Sequence, residues 1–126
     1  MAFENTLMES LGIETVTLDE DRVVMKMPVD RRTLQPAGFL HGGANVALAE
    51  TAASVGATLN ADLEKFNVFG IEINANHIKS KREGTVTATA EPIHKGKKTM
   101  VWGIRITDEH DHLICTSRCT IAIVHK

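Results

Sequence analysis

The sequence predicts an α+β domain in which one long helix lies across an antiparallel sheet, and three features predict it. A run from about Gly43 to Leu59 is alanine-rich and free of proline. The flanking stretches alternate apolar and polar residues with the period of two that marks half-buried strands. Short charged or glycine-bearing turns separate them, as in hairpins. A sheet that wraps one helix on one face leaves its other elements needing a partner to finish the core.

Phe3 to Leu11 is predicted as a short helix, with Phe3, Leu7, Met8 and Leu11 on one face and Gly12 as its stop. Ile13 to Leu18 alternates as a strand, Asp19-Glu20-Asp21 turns, and Arg22 to Met27 returns as a second strand ending at Pro28. Asp30 to Leu40, which holds Pro36 and Gly38, reads as irregular. The long helix follows. Its alanines, among them Ala44, Ala47, Ala49, Ala52, Ala53 and Ala57, keep it thin enough to approach a sheet or another helix closely. After a loop from Asn60 to Phe66 come four strands: Val68 to Lys79, Thr85 to Ala90, Met100 to Thr107 and Leu113 to Val124. Lys81-Arg82-Glu83-Gly84 and Asp108-Glu109-His110-Asp111 are expected hairpin turns, with His94-Lys95-Gly96-Lys97 a shorter break.

At 126 residues the chain is expected to form one domain, spanning 1–126, large enough for a real core. A formal net charge of -2 and a pI near 6.3 give no global sign of a nucleic-acid or membrane partner. Charge is uneven, however: Lys79, Lys81, Arg82, Lys95, Lys97 and Lys98 face only Glu83 and Glu91 within that span. Such a patch suits either a phosphorylated ligand or a solvated strand-and-turn surface. Cys115 and Cys119 lie four apart in an apolar, β-prone tail, too close along one strand for a comfortable disulfide. They are expected to be buried and reduced, which fits a cytoplasmic protein. No signal peptide is evident, and no stretch approaches the roughly 20 apolar residues of a membrane span.

The chemistry concentrates at the start of the helix. In Gln35-Pro36-Ala37-Gly38-Phe39-Leu40-His41-Gly42-Gly43, two glycines leave backbone N–H groups open to an incoming anion. Glu50 follows among Ala, Val and Leu, where a carboxylate is costly unless something uses it. At 100° per residue, Glu50, Thr51, Ser54 and Thr58 share one narrow sector of an otherwise apolar helix, Asn45 excepted. Oxyanion donors and a carboxylate together sketch an acyl-transfer site. Gly42 and Glu50 are separated by about 12 Å on a single helix, whereas a reacting carbonyl sits about 3 Å from donor and attacker alike. Two antiparallel copies of the helix would solve this, so an interfacial active site and at least an obligate dimer are expected.

These residues resemble the hotdog-fold acyl-CoA thioesterases, in the PaaI-type branch that includes hydroxybenzoyl-CoA and dihydroxynaphthoyl-CoA thioesterases. The similarity rests on Met27 to Pro36, Leu40-His41-Gly42-Gly43, Leu48-Ala49-Glu50 with Ser54, Gly70 to His77, Pro92-Ile93-His94 and the closing strand. Gly70 to His77 looks closest to enzymes that hydrolyse 1,4-dihydroxy-2-naphthoyl-CoA in menaquinone synthesis. The resemblance implies that Glu50 either attacks the thioester carbonyl or activates water, and that Gly42 donates its N–H to the oxyanion. Gly43 then acts as a second donor or merely permits the turn, and His41 and Gln35 hold the carbonyl and shape that turn. Ser54 either touches substrate or water or bonds to its own helix. His77 matches a ligand contact, and Lys79, Ser80, Arg82 and Lys97 would hold the phosphates or adenosine of coenzyme A. A homotetramer built as a dimer of dimers is implied, with no cofactor and no metal.

Other side chains read as structural: His110 and His112 in a charged turn rather than a metal site, His94 in a turn, and Trp102 in the core or an interface. Two rivals stand beside hydrolysis. A hotdog dehydratase or hydratase needs a His and a carboxylate across the substrate's α and β carbons, where this chain has a His-Gly-Gly turn. A non-catalytic acyl-CoA-binding sensor gains nothing from a buried carboxylate.

Overall fold

A computed structural model describes residues 2–126. Six strands form one antiparallel sheet in the order β1-β2-β4-β5-β6-β3, and the long helix crosses it. The elements are α1 (Leu7–Leu11), β1 (Glu14–Asp19), β2 (Arg22–Val29), α2 (Gly42–Leu59), β3 (Phe66–His77), β4 (Gly84–Lys95), β5 (Thr99–Thr107) and β6 (Leu113–His125). Alternation places Val23, Met25 and Met27 of β2 in the core, with Val86, Ala88 and Ala90 of β4 beside them. Trp102, Ile104 and Ile106 of β5 and Cys115, Cys119 and Ile121 of β6 continue the layer. From above, Leu48, Ala49, Ala52, Ala53 and Ala57 of α2 close it.

Four element boundaries differ from expectation. The first helix is one short turn because Asn5 takes a left-handed φ of 60°, which breaks the run after Phe3. β2 continues through Pro28. The Pro28 carbonyl accepts from the Thr33 hydroxyl at 2.7 Å, so this residue's hydrogen-bonding edge faces away from β4. The β1 ladder has already ended at Lys26, and the missing N–H costs no bond there. β4 runs on past Ala90 through a bulge between Pro92 and His94, and its turn is tightened by the Gly96 N–H donating to Thr99. β3 spans Phe66–His77, so Lys79 lies beyond its end.

β3 also carries a bulge, between Gly70 and Glu72, that leaves Ile71 unpaired against β6. Gly70 and His77 are seven residues apart and would face opposite sides of a regular strand. The extra residue resets the alternation, and both turn toward α2.

Gly56 sets how close α2 lies to the sheet. A Cβ added there would come within 2.5 Å of Trp102 Cη2. The Trp102 ring is fully buried and its Nε1 has no acceptor among the described residues, so packing alone holds it. Replacing Gly56 with Ala gains up to about 1 kcal/mol of helix propensity. Overpacking against a buried ring costs about 1–3 kcal/mol. We expect Gly56→Ala to lose about 1–2 kcal/mol net, measured by urea denaturation followed through Trp102, the single tryptophan.

Candidate active site

α2 begins at His41, which caps it: the Gly43 N–H donates to His41 Nδ1 at 2.7 Å. An imidazole whose Nδ1 accepts carries its proton on Nε2, leaving that nitrogen as a donor. The Gly43 N–H is therefore committed to the cap, while the Gly42 N–H has no acceptor among the described residues. Gln35 shapes the preceding turn. Its side-chain Oε1 accepts from the Ala37 N–H, its carbonyl accepts from Gly38, and its own N–H donates to Phe39.

His77 lies directly on the helix start, where a Cβ added to Gly42 would come within 2.9 Å of its Nε2. Further along, the Glu50 carboxylate lies over Gly70 of β3, and a Cβ there would be 2.6 Å from Oε2. Gly42 with His77 and Glu50 with Gly70 thus mark two close approaches of α2 to β3. Gly70 was not among the expected site residues, although a glycine inside an apolar strand is the sign of such a close approach.

Glu50 is half-buried and pairs with no Lys, Arg or His among the described residues. One turn on, the Ser54 hydroxyl makes no hydrogen bond among the described residues, whereas the Thr51 and Thr58 hydroxyls donate to their own helix at 2.6 and 2.8 Å. Of the polar stripe, only Glu50 and Ser54 are therefore uncommitted. Both thiols of β6 are fully buried and reduced, and Cys119 is near enough to feel the Glu50 charge. Burial pushes Cys119 up to about 12, with the Glu50 and Glu72 carboxylates adding to the rise, and burial raises Cys115 as well.

The basic residues divide. Arg82 stacks over Phe39 at 4.1 Å, and the Lys81 carbonyl accepts from the Leu40 N–H at 2.7 Å. These contacts place Lys79, Ser80 and Arg82 at the Gly42 end of α2. Lys79 is already engaged, 3.9 Å from Asp108 Oδ2 and 3.2 Å from His112 Nδ1. Lys81 pairs with Glu109 at 2.7 Å. Asp108 itself is held below the usual carboxylate range, first by the His112 N–H and then by the His110 N–H. That turn is a hairpin tied by Asp108, and no cluster fit for a metal occurs among the described residues.

Lys97 sits at the other end of α2, in a cleft with Asn60, Phe66 and Lys98. β4 separates it from Arg82 by 12 residues, roughly 36 Å of strand. The single basic patch expected from the sequence is therefore two patches within one chain.

The family model described as the thioesterase superfamily matches residues 37–115. A 1,4-dihydroxy-2-naphthoyl-CoA hydrolase of Listeria monocytogenes is 52% identical over 120 residues, covering 95% of this chain and 97% of that protein. One of the same name from Escherichia coli is 46% identical over 121 residues, with 96% and 88% covered. The crystal structure of a variant thioesterase from Pseudomonas aeruginosa superposes with a TM-score of 0.95 at 41% identity, covering 98% of this chain and 88% of that one. No helix among the described residues is long and apolar enough to cross a membrane.

The thiols give a direct test of the layer beneath Glu50. At pH 8 we expect Cys119 in the native chain to react with a thiol reagent at least about a thousandfold more slowly than in denaturant. Rapid native labelling would place the thiol in solvent instead.

Proposed function

The chain belongs to the thioesterase superfamily and has its hotdog fold, and from that premise we propose that it hydrolyses an aromatic or otherwise hydrophobic acyl-CoA. Water cleaves the thioester C–S bond, giving the free acid and coenzyme A. The relatives' names favour 1,4-dihydroxy-2-naphthoyl-CoA as substrate, and the resemblance of Gly70 to His77 favours menaquinone synthesis as setting. The observation that carries the reading is Glu50, a half-buried carboxylate without a cationic partner, lying over a strand glycine. In this reading Glu50 attacks the thioester carbonyl or takes a proton from the attacking water. The free Gly42 N–H, at the positive end of α2, receives the developing oxyanion. His41 offers Nε2–H toward the carbonyl, Gln35 holds the turn that presents it, and Ser54 orients water or substrate. His77 contacts the ligand from β3. The route uses no cofactor and no metal.

Eight helical residues separate Gly42 from Glu50, about 12 Å, so the reading takes the donor from one chain and the carboxylate from its partner. β3 supports this, because it has no strand on its outer side and exposes Phe69 and Ile71. Pairing two β3 edges in antiparallel fashion would bring the Lys97 end of the partner subunit toward Lys79, Ser80 and Arg82. Both basic patches could then meet one coenzyme A. We take the assembly to be a cytoplasmic dimer of dimers, a setting that buried reduced thiols suit.

Free-thiol release from aryl-CoA thioesters tests the reaction, and hydrated product from crotonyl-CoA without free thiol would point to the hydratase instead. Glu50→Gln should lower kcat by about 10²–10⁴. Turnover within a few-fold of the parent would remove Glu50 from the mechanism. Gly70→Ala, whose Cβ would displace the carboxylate, should cost about tenfold to a hundredfold in kcat while leaving the melting temperature nearly unchanged.

A further inference from the structure

We propose that α1 and the turn before it form the outer wall of the acyl pocket, with Phe3, Leu7 and Met8 holding the hydrophobic group whose carbonyl is presented to Glu50. The proposal rests on the hydrolytic reading above and names the specificity-determining side of the same site.

The Glu50 carboxylate lies close over Gly70 of β3. Glu50 also borders a cavity of about 580 Å³ between α1 and α2, within the range of small-molecule sites. Phe3, Leu7 and Met8 line its outer side, and Val46, Ala47 and Val55 line its inner side. Its polar members reduce to two, because the Thr51 and Thr58 hydroxyls are spent on their own helix. What remains is an apolar chamber with a carboxylate and a serine hydroxyl on one wall. A second cavity of about 300 Å³ continues toward His41, sharing Leu7, Gly43 and Ala47 with the first. Leu7 therefore borders both cavities.

The wall is built to vary. A five-residue helix is too short to be stable alone, so its packing on the rest of the chain holds it. Gly12 anchors its end in a left-handed conformation, with the Gly12 N–H donating to the Glu9 carbonyl at 3.0 Å and the Ile13 N–H to the Met8 carbonyl at 2.9 Å. Yet no side chain of α1 is fully buried, and Leu7 is 60% exposed. A leucine with that much apolar surface facing a cavity is what an incoming acyl group would cover. Because the sheet core does not include Leu7, its size sets the pocket without disturbing the fold.

The test uses the intact protein with acetyl-, benzoyl- and 1-naphthoyl-CoA. Leu7→Ala should lower kcat/KM for the two aryl thioesters about tenfold and leave acetyl-CoA within about twofold. Leu7→Trp should penalise naphthoyl-CoA more than benzoyl-CoA. Equal losses on all three, or no loss on any, would overturn the assignment. Calorimetric binding of the same thioesters to Glu50→Gln protein, with and without the Leu7 changes, separates the two ideas. Loss of acyl discrimination in binding supports the wall even if the parent proves unable to hydrolyse thioesters, an outcome that would sink only the catalytic reading. Unchanged discrimination in both turnover and binding sinks the wall alone, and absence of acyl-CoA binding sinks both.

Discussion

Everything near the site depends on how closely α2 can approach the sheet. Three glycines set that distance, each facing a large or charged side chain: Gly56 under Trp102, Gly42 under His77, and Gly70 under Glu50. Alanines fill most of the remaining contact, so the helix buries little width per turn. A bulkier helix would sit higher on its strands. The carboxylate would lose the floor that positions it, and the helix start would lose the imidazole that covers it. Core packing and site geometry are here one requirement, met by the absence of side chains.

Electrostatics isolates Glu50 from its neighbours. Five carboxylates among the described residues have cationic partners: Glu14 with Lys26, Asp21 with Lys95, Asp30 with Arg32, Asp108 with Lys79 (and the turn amides), and Glu109 with Lys81. Arg32 holds Asp30 down to about 2, through the side-chain hydrogen bond first. A carboxylate locked in this way is a poor base and a poor nucleophile. Glu50 keeps its lone pairs because α2 supplies no cation within reach and the opposing strand supplies a glycine.

Much of this was legible in the sequence, where local chemistry decides. The alanine run made α2 plain, hairpin turns stood out by charge and glycine, and the Gly42, Glu50 and Ser54 spacing followed from helical period alone. Phase and distance were not legible. Gly70 and His77, seven residues apart, would face opposite sides of a regular strand, and a bulge at Ile71 reverses that. Counting lysines along the chain joined Arg82 to Lys97, because composition does not register a strand long enough to carry them to opposite ends. Asn5 ended the first helix early through one backbone angle. Those outcomes depend on partners remote in sequence or on a single dihedral, and neither leaves a periodic trace.

The sheet's two margins are not equivalent. β1 is six residues long, begins and ends on acids, and bulges between Thr15 and Thr17, so it offers a poor template for another strand. β3 is twice that length and has neither lysine nor proline, with Glu72 its one acidic residue. Growth by strand addition is thus blocked on one side and invited on the other. When two such open margins meet around a two-fold axis, each consumes the other and leaves only blunted ends outside. A chain with two open margins would polymerise, whereas one open margin stops at a pair. Under the proposed pairing, an unpaired copy is the species at risk, since until it meets its mate it carries an aggregation-prone edge that dilution lengthens the time to cover.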